Sequence, residues 1–486
     1  MENTLYGLLK ETAQQFPQAP ALIEGNQTLT FSQLLDLVDQ KAACFPPHIK
    51  SIGIIMDHGI EMIVSMFAVL KCGARYIPAE PTFPIKRIRF MMKEADVDFI
   101  LTNPACASML DGFMIRTADT SCTEVDTIDH ARPESAAYVL YTSGTTGRPK
   151  GVCVTNANVC HYVRAFEHEF HIGPGDIMLQ YSVCSFDIFV EEVFASLLNG
   201  ASLAIPSSQD KHDLRSLMKF VEKHNVTIIS GFPYLLAEMN RLEKIPSSLR
   251  LLISGGDVLR SQYIDHLLAQ VEVYNTYGPS ETTVCAAYYK CTEDGMLEDG
   301  TYPIGHSVQG TQIRILDENG NEVSKGHAGE ICILGDGVSS GYIGSHKKEN
   351  EAFVTLADNT RMYRSGDLGY VLPDGNLAFL HRKDTQIMIY GKRVEVSEVE
   401  SVLCQCSGIA EAIVRPYEDE HHLSYMIAYI VPDQEDICLS SLKKELSQTL
   451  VSFMIPEFFV QMDHIPLNAN GKPDDLQLPV VLKDGE

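Results

Sequence analysis

Residues 141–151 read Tyr-Thr-Ser-Gly-Thr-Thr-Gly-Arg-Pro-Lys-Gly. Glycine lets a backbone approach a phosphate closely and take positive φ. Successive N–H groups in such a loop form an anion-binding concavity. Gly144 and Gly147 supply that freedom here. Thr142, Ser143, Thr145 and Thr146 add hydroxyl donors, and Lys150 adds a positive charge. The chemistry this favours is the holding of phosphate. The common P-loop is excluded, because it ends in adjacent Gly-Lys-Ser/Thr, whereas Pro149 precedes Lys150 and Gly151 follows it. The alternative is a surface turn, which Gly, Ser and Thr favour for local reasons.

The elements that must carry this loop alternate. An apolar run at 136–140 reads as a buried strand leading into it. Strands are expected at 51–56, 97–102, 177–183, 201–205, 226–230, 250–254 and 271–275. Helices are expected at 60–70, 85–93, 156–170, 232–242 and 261–269. Ser32 is placed as the N-cap of an early helix, and Gly73 ends the 60–70 helix. The alternation indicates doubly wound α/β layers, whose ligands bind beyond the carboxyl ends of strands. Residues 185–187, 254–257 and 275–283 fall at such ends. From about residue 310 the texture becomes antiparallel and barrel-like, with turns at 317–320 and 372–375. Residues from about 385 onward read as a small α+β domain.

The chain has 486 residues, 45% hydrophobic and 21% charged. That is too long for one core and ordinary for a soluble globular protein. The formal charge is −26, which argues against nucleic acid or an anionic membrane as the main partner. Thirteen scattered cysteines lack zinc-site spacing and suit reduced thiols in a cytoplasm. Neither a secretory leader nor a membrane-spanning run is expected.

The 141–151 loop resembles the phosphate loop of the adenylate-forming enzymes: amino-acid adenylation domains, acyl- and aryl-CoA ligases and luciferase-like proteins. The resemblance extends along nearly the whole chain. Residues 275–281 resemble the family's adenine-and-magnesium segment, 363–368 its ribose segment, 382–384 with 391–395 its hinge, and 466–472 its C-terminal lysine loop. It implies an N-terminal core over residues 1–383 and a mobile lid over 384–486. The implied activity is conversion of an amino acid and ATP to aminoacyl-AMP and pyrophosphate, then transfer to a carrier protein's phosphopantetheine thiol. Thr142, Ser143, Gly144, Thr145, Thr146, Gly147, Lys150 and Gly256 are then ATP-binding. So are Asn275, Thr276, Tyr277, Gly278, Asp367 and Arg382. Glu281 is the Mg²⁺ ligand, Lys383 and Asp384 the hinge, and Lys472 the catalytic residue. Without the resemblance, Glu281 is a solvated carboxylate, Asp367 a turn residue and Lys472 a loop lysine.

The implied amino-acid pocket is Asp187, Ile188, Glu191, Ser230, Ile253, Gly255, Thr276, Val284 and Cys285. Asp187 matches the aspartate of amino-acid-activating members and can face an α-ammonium; it also fits a helix N-cap. Glu191 is either an inward second carboxylate, suited to a cationic side chain, or a surface charge beside Glu192. Ser280 and Ser365 stand where Thr is usual, Ser340 where Arg is common, His381 where Gly is, and Met388 where Lys is. Only fourteen residues follow Lys472, with no carrier motif, so a free-standing ligase with a separate carrier protein is expected. A D-alanine:carrier ligase, an acid:CoA ligase and a non-catalytic scaffold are the alternatives.

Overall fold

Apolar runs too short for helices become strands covered on both faces. Ser51–Ile55, Phe99–Thr102, Ser202–Ile205, Ile228–Gly231 and Leu251–Ser254 are buried at every position. That pattern belongs to parallel sheets flanked by helices. The computed structural model describes residues 4–108, 110–117, 129–144, 148–384, 386–419, 422–433, 437–466 and 473–481.

Among these residues, the chain forms two compact units. The first comprises Met1–Pro81, Met92–Tyr141 and Gly151–Lys383; the second comprises Thr82–Met91, Thr142–Lys150 and Asp384–Glu486. A seven-stranded sheet runs in the order Gly341–Tyr342, Lys150–Thr155, Ala136–Thr142, Arg75–Pro78, Ser51–Ile55, Phe99–Thr102, Ile115–Thr117. A nine-stranded sheet runs from His306–Ser307 through Ala287–Lys290, Glu272–Tyr277, Leu251–Ser254, Ile228–Gly231, Ile177–Leu179, Ser202–Ile205 and Pro20–Glu24 to Gln27–Thr30. Its centre is parallel and its edges antiparallel. A third, antiparallel sheet joins Thr311–Leu316, Gly329–Gly335, Arg361–Val371 and Phe353–Thr355, with Leu377–Arg382 on its side. The architecture is the expected α/β one with an antiparallel insert.

The second unit is α+β. Ile409–Glu418, Ser424–Pro432 and Phe458–Gln461 form a sheet, beside the hairpin Gln386–Ile389 and Lys392–Glu395. Helices Val396–Leu403 and Leu439–Leu446 close its core around Val399, Leu403, Val414, Ala428, Ile430 and Leu446.

Three local expectations fail for identifiable reasons. The early helix is capped by Thr30, not Ser32: Thr30 and Gln33 make a reciprocal capping box that starts the helix at Phe31. Residues 261–269 form only a short 3₁₀ turn, Ser261–Tyr263. The side chain of Asn240 accepts the N–H groups of His266 and Leu267, and such bonds compete with a helical ladder. The strand expected over 177–183 stops at Leu179, because the main chain of Tyr181 and Ser182 is taken by the carboxylate of Glu192. Cys44 is disulfide-bonded, against the expectation of reduced thiols throughout; among the described residues eleven other cysteines are free.

Candidate active site

The first unit gathers three carboxylates on one short helix, Asp187 half-buried and Glu191 and Glu192 buried. Asp187–Val190 is a single α-turn, and Glu191–Ala195 continues it as a π-helical turn. Wide turns of this kind cluster at functional sites. Asp187 and Glu191 are four residues apart and so share a face. Phe186, not Asp187, is the N-cap residue. The Asp187 carboxylate instead accepts a 2.5 Å hydrogen bond from Ser280. Burial pushes its pKa up to about 6; the Ser280 bond opposes this and the nearby Glu281 charge adds to it.

Glu191 points inward and is 1% exposed. Tyr162, from the helix Asn156–Phe170, donates to its Oε2, and the Cys285 thiol lies 4.0 Å from the same oxygen. Oε1 has no hydrogen-bond partner among the described residues. Burial pushes the Glu191 pKa up to about 7, although the Ser230 and Tyr162 hydroxyls favour the charged form. Glu192 is equally buried and holds main-chain N–H groups, so the picture of a polar surface face is wrong. Burial likewise pushes the Cys285 thiol up.

The remaining expected pocket residues line adjoining strand ends. Ser230 and Ile253 are register partners on neighbouring parallel strands. A side chain at Gly255 would meet Thr276 Oγ1 at 2.6 Å, so only glycine leaves the space there. Ile188, Ile253, Val284 and Cys285 are buried. Thr283 and Val284 take φ of 63° and 70°, a costly conformation for β-branched residues that is found where function demands it. Sequence reasoning missed Tyr162, whose place on an amphipathic helix gives no signal beyond a core residue.

These two raised carboxylates make stability pH-dependent. A group protonated more readily in the fold than in the unfolded chain contributes stability that is complete below its unfolded pKa and is lost as pH rises through its folded pKa. The window here runs from about 4 to about 7. Against the parent, the double variant Asp187→Asn, Glu191→Gln therefore gains stability on going from pH 5 to pH 8, by roughly 3 kcal/mol in order of magnitude. Urea unfolding at the two pH values checks this; a constant difference would refute it.

A second cluster in the same unit collects the expected nucleoside residues. Tyr277 donates to Asp367 Oδ2 at 2.5 Å, and Arg382 pairs with Asp367 Oδ1. Ser365 Oγ accepts the Asp367 N–H at 3.0 Å. Asn275 is fixed by donating to the Pro303 carbonyl at 2.9 Å, which leaves its buried Oδ1 without a hydrogen-bond partner among the described residues. Gly278 lies against the Val284 carbonyl, which a side chain would meet at 2.3 Å. Gly256 is exposed with φ of 80°. Glu281 is fully buried and accepts from Tyr342 at 2.5 Å. Lys383 lies 3.3 Å from Glu330, which also binds Arg364; the division between the units falls between Lys383 and Asp384.

The phosphate-loop residues belong to the second unit. A side chain at Gly144 would collide with the Arg148 carbonyl at 1.8 Å. Its N–H donates to Glu398 Oε2 at 3.1 Å, and Lys150 Nζ lies 3.8 Å from Glu395 Oε1. Ser143 Oγ donates to the Arg393 carbonyl and accepts the Glu395 N–H. Thr142 Oγ1 is buried without a hydrogen-bond partner among the described residues. Oxyanions of the protein thus meet the donors that the loop offers. Thr145, Thr146, Gly147 and Lys472 lie outside the described residues.

This fold is shared with solved adenylation proteins. An artificially fused adenylation–PCP di-domain from Klebsiella oxytoca superposes with TM-score 0.86 at 20% identity, covering 94% of this chain and 86% of that one. The Vibrio cholerae adenylation domain AlmE, solved with glycyl-adenosine-5'-phosphate, gives 0.85 at 22%, covering 98% and 97%. At these identities the likeness is one of fold. Residues 9–343 match the AMP-binding enzymes and residues 398–472 match the AMP-binding enzyme C-terminal domain, and the chain belongs to the AMP-binding enzyme family. Bacitracin synthase 2 of Bacillus licheniformis is 35% identical over 98% of this chain and 18% of its own length. Tyrocidine synthase 1 of Brevibacillus parabrevis is 32% identical over 98% of this chain and 45% of its own length. The chain thus spans less than half of either relative. No helix among the described residues is long and apolar enough to cross a membrane.

Proposed function

We propose that this chain activates an amino acid with a cationic side chain. The substrate carboxylate attacks the α-phosphorus of ATP, giving aminoacyl-AMP and pyrophosphate. The acyl group then passes to the phosphopantetheine thiol of a carrier protein. The attacking carboxylate is already an anion, so no general base is required; positioning and charge neutralisation do the work.

The observation that carries the reading is the pair Asp187 and Glu191. Two carboxylates on one helical face, Asp187 half-buried and Glu191 buried with one oxygen that has no hydrogen-bond partner among the described residues, suit a ligand with two ammonium groups. Asp187 takes the α-ammonium and Glu191 the side-chain ammonium. A fatty or aryl acid gives neither a role, and D-alanine leaves Glu191 facing a methyl group. The kinship with peptide synthetases supports an amino acid and a carrier thiol as the two acyl partners.

Asn275 Oδ1, held as an orphaned acceptor, fits the exocyclic amine of adenine. Asp367 accepts from ribose hydroxyls, with Arg382 and Tyr277 fixing its carboxylate. Ser143, Gly144 and Lys150 receive phosphate oxygens in place of the Glu395 and Glu398 carboxylates. The hard oxygens of Glu281 fit Mg²⁺, which when bound would neutralise phosphate charge.

Pyrophosphate exchange across L- and D-amino acids, ornithine, lysine, benzoates and short fatty acids tests the proposal. Exchange is expected to be highest with lysine or ornithine. Equal exchange with benzoates or fatty acids would overturn the amino-acid reading, and silence across the panel would favour a non-catalytic scaffold.

A further inference from the structure

Three strand ends of the first unit meet around one imidazole. His58 follows Ser51–Ile55 and Glu80 follows Arg75–Pro78, parallel neighbours in the seven-stranded sheet. Gln180 follows Ile177–Leu179 in the nine-stranded sheet. His58 Nε2 lies 2.8 Å from Glu80 Oε1, and Nδ1 lies 2.9 Å from Gln180 Oε1.

The hydrogen bonds fix the direction of each contact. The Gln180 amide cannot be reversed: its NH₂ donates to the Ser182 carbonyl at 2.6 Å and to Glu192 at 3.0 Å, while Oε1 accepts from Lys211 at 3.2 Å. His58 Nδ1 must therefore donate. Nε2 faces a carboxylate oxygen that also accepts the Cys184 N–H at 2.7 Å. A ring that meets an acceptor at each nitrogen satisfies both as an imidazolium. The charged and titratable groups around it are Glu80, Cys184, Glu192 and Lys211, and Phe189 packs on the ring at 5.3 Å. Burial pushes the Glu80 carboxyl up, but the His58 bond and charge, with the Cys184 bonds, more than reverse this and leave it below the ordinary range.

The consequence falls on the segment before the pocket helix. Glu192 holds the N–H groups of Tyr181 and Ser182 at 3.0 and 2.9 Å, and Glu80 holds that of Cys184. Asp187 follows three residues later. We propose that His58 and Glu80 are positioning residues: their ion pair anchors residues 181–186 across both sheets and so sets the Asp187 carboxylate for the substrate's α-ammonium. This rests on the reading of Asp187 above. The pair acts through the Cys184 N–H, and neither member is assigned a substrate contact.

A rival bridge exists, since His58, Glu80 and Cys184 bring one metal-ligating atom each within 4.8 Å of one another. Pyrophosphate exchange on the full chain decides. In His58→Ala the amino-acid KM rises about tenfold, as expected for loss of one charge-assisted bond, while the ATP KM and kcat stay within about twofold. His58→Arg restores the amino-acid KM, because a guanidinium can donate to both Glu80 and Gln180. If His58→Ala does not fold, Glu80→Gln, which keeps an acceptor for Cys184, serves for the same comparison. An unchanged amino-acid KM, or an equal rise for ATP, overturns the proposal. So does one equivalent of zinc in the purified parent that Cys184→Ser removes. A parent that exchanges with no amino acid overturns the functional reading itself; an active parent with unmoved variants overturns this inference alone.

Discussion

Lys472→Ala lowers the rate of aminoacyl-AMP formation by about a hundred- to a thousandfold, roughly 3–4 kcal/mol of transition-state stabilisation, and leaves amino-acid binding nearly intact. The argument is electrostatic. In-line attack at the α-phosphorus spreads negative charge over oxygens that are already anionic. The substrate carboxylate brings a further negative charge to the same atom. The net charge of −26 offers no general attraction for such a centre, so its positive charge must be supplied locally. Lys150 is proposed to serve the leaving phosphates, and a second ammonium is needed where the carboxylate and the α-phosphate meet. Lys472, in Pro-Leu-Asn-Ala-Asn-Gly-Lys near the C-terminus, is the residue proposed to supply it. An ammonium that acts mainly in the transition state changes kcat and kcat/KM together. Single-turnover formation of aminoacyl-AMP and equilibrium dialysis of the amino acid measure the two quantities separately. Undiminished turnover would remove Lys472 from this role; parallel loss of binding would reassign it to the ground state.

The layers of the fold were legible because buried parallel strands announce themselves as short unbroken apolar runs. Runs such as 202–205 and 251–254 carry no competing polar signal. What escaped was decided by side chains reaching across the fold. Asn240 disrupts a helix expected at 261–269 by taking two of its N–H groups. Glu192 ends a strand thirteen positions before itself in the chain. Neither effect has a periodicity, since each depends on a contact that exists only after folding. The pocket shows the same limit. Asp187 could be singled out, but that Phe186 rather than Asp187 takes the N-cap position and that its carboxylate meets Ser280, far along the chain, was not visible. Glu191 could point either way until Tyr162 and Cys285 were seen to enclose it. His58 and Glu80 carried no signal at all, being an ordinary loop pair until Gln180 and Cys184 are brought beside them.

Glu191→Gln removes the preference for a cationic side chain, with kcat/KM for lysine or ornithine falling about a hundredfold, near the 3 kcal/mol lost when one partner of a buried ion pair is removed. The parent holds a carboxylate whose Oε1 is buried with no hydrogen-bond partner among the described residues and whose pKa burial has raised to about 7. An entering ammonium supplies the missing partner and favours the charged form. Glutamine keeps the volume and an acceptor for Tyr162 but cannot balance a buried cation. The sign is opposite for a neutral side chain of similar length, such as norleucine. The parent must keep Glu191 protonated to admit it, whereas the variant has no charge to suppress. Norleucine should therefore gain about tenfold, and in the parent its use should fall as pH rises through about 7 while lysine use rises. In the variant that crossing disappears, leaving only the titration of Asp187 near 6. Pyrophosphate exchange with both substrates from pH 5.5 to 8.5 gives the four profiles. Coincident profiles for lysine and norleucine in the parent would mean that Glu191 does not meet the side chain, whatever the pocket's amino acid is.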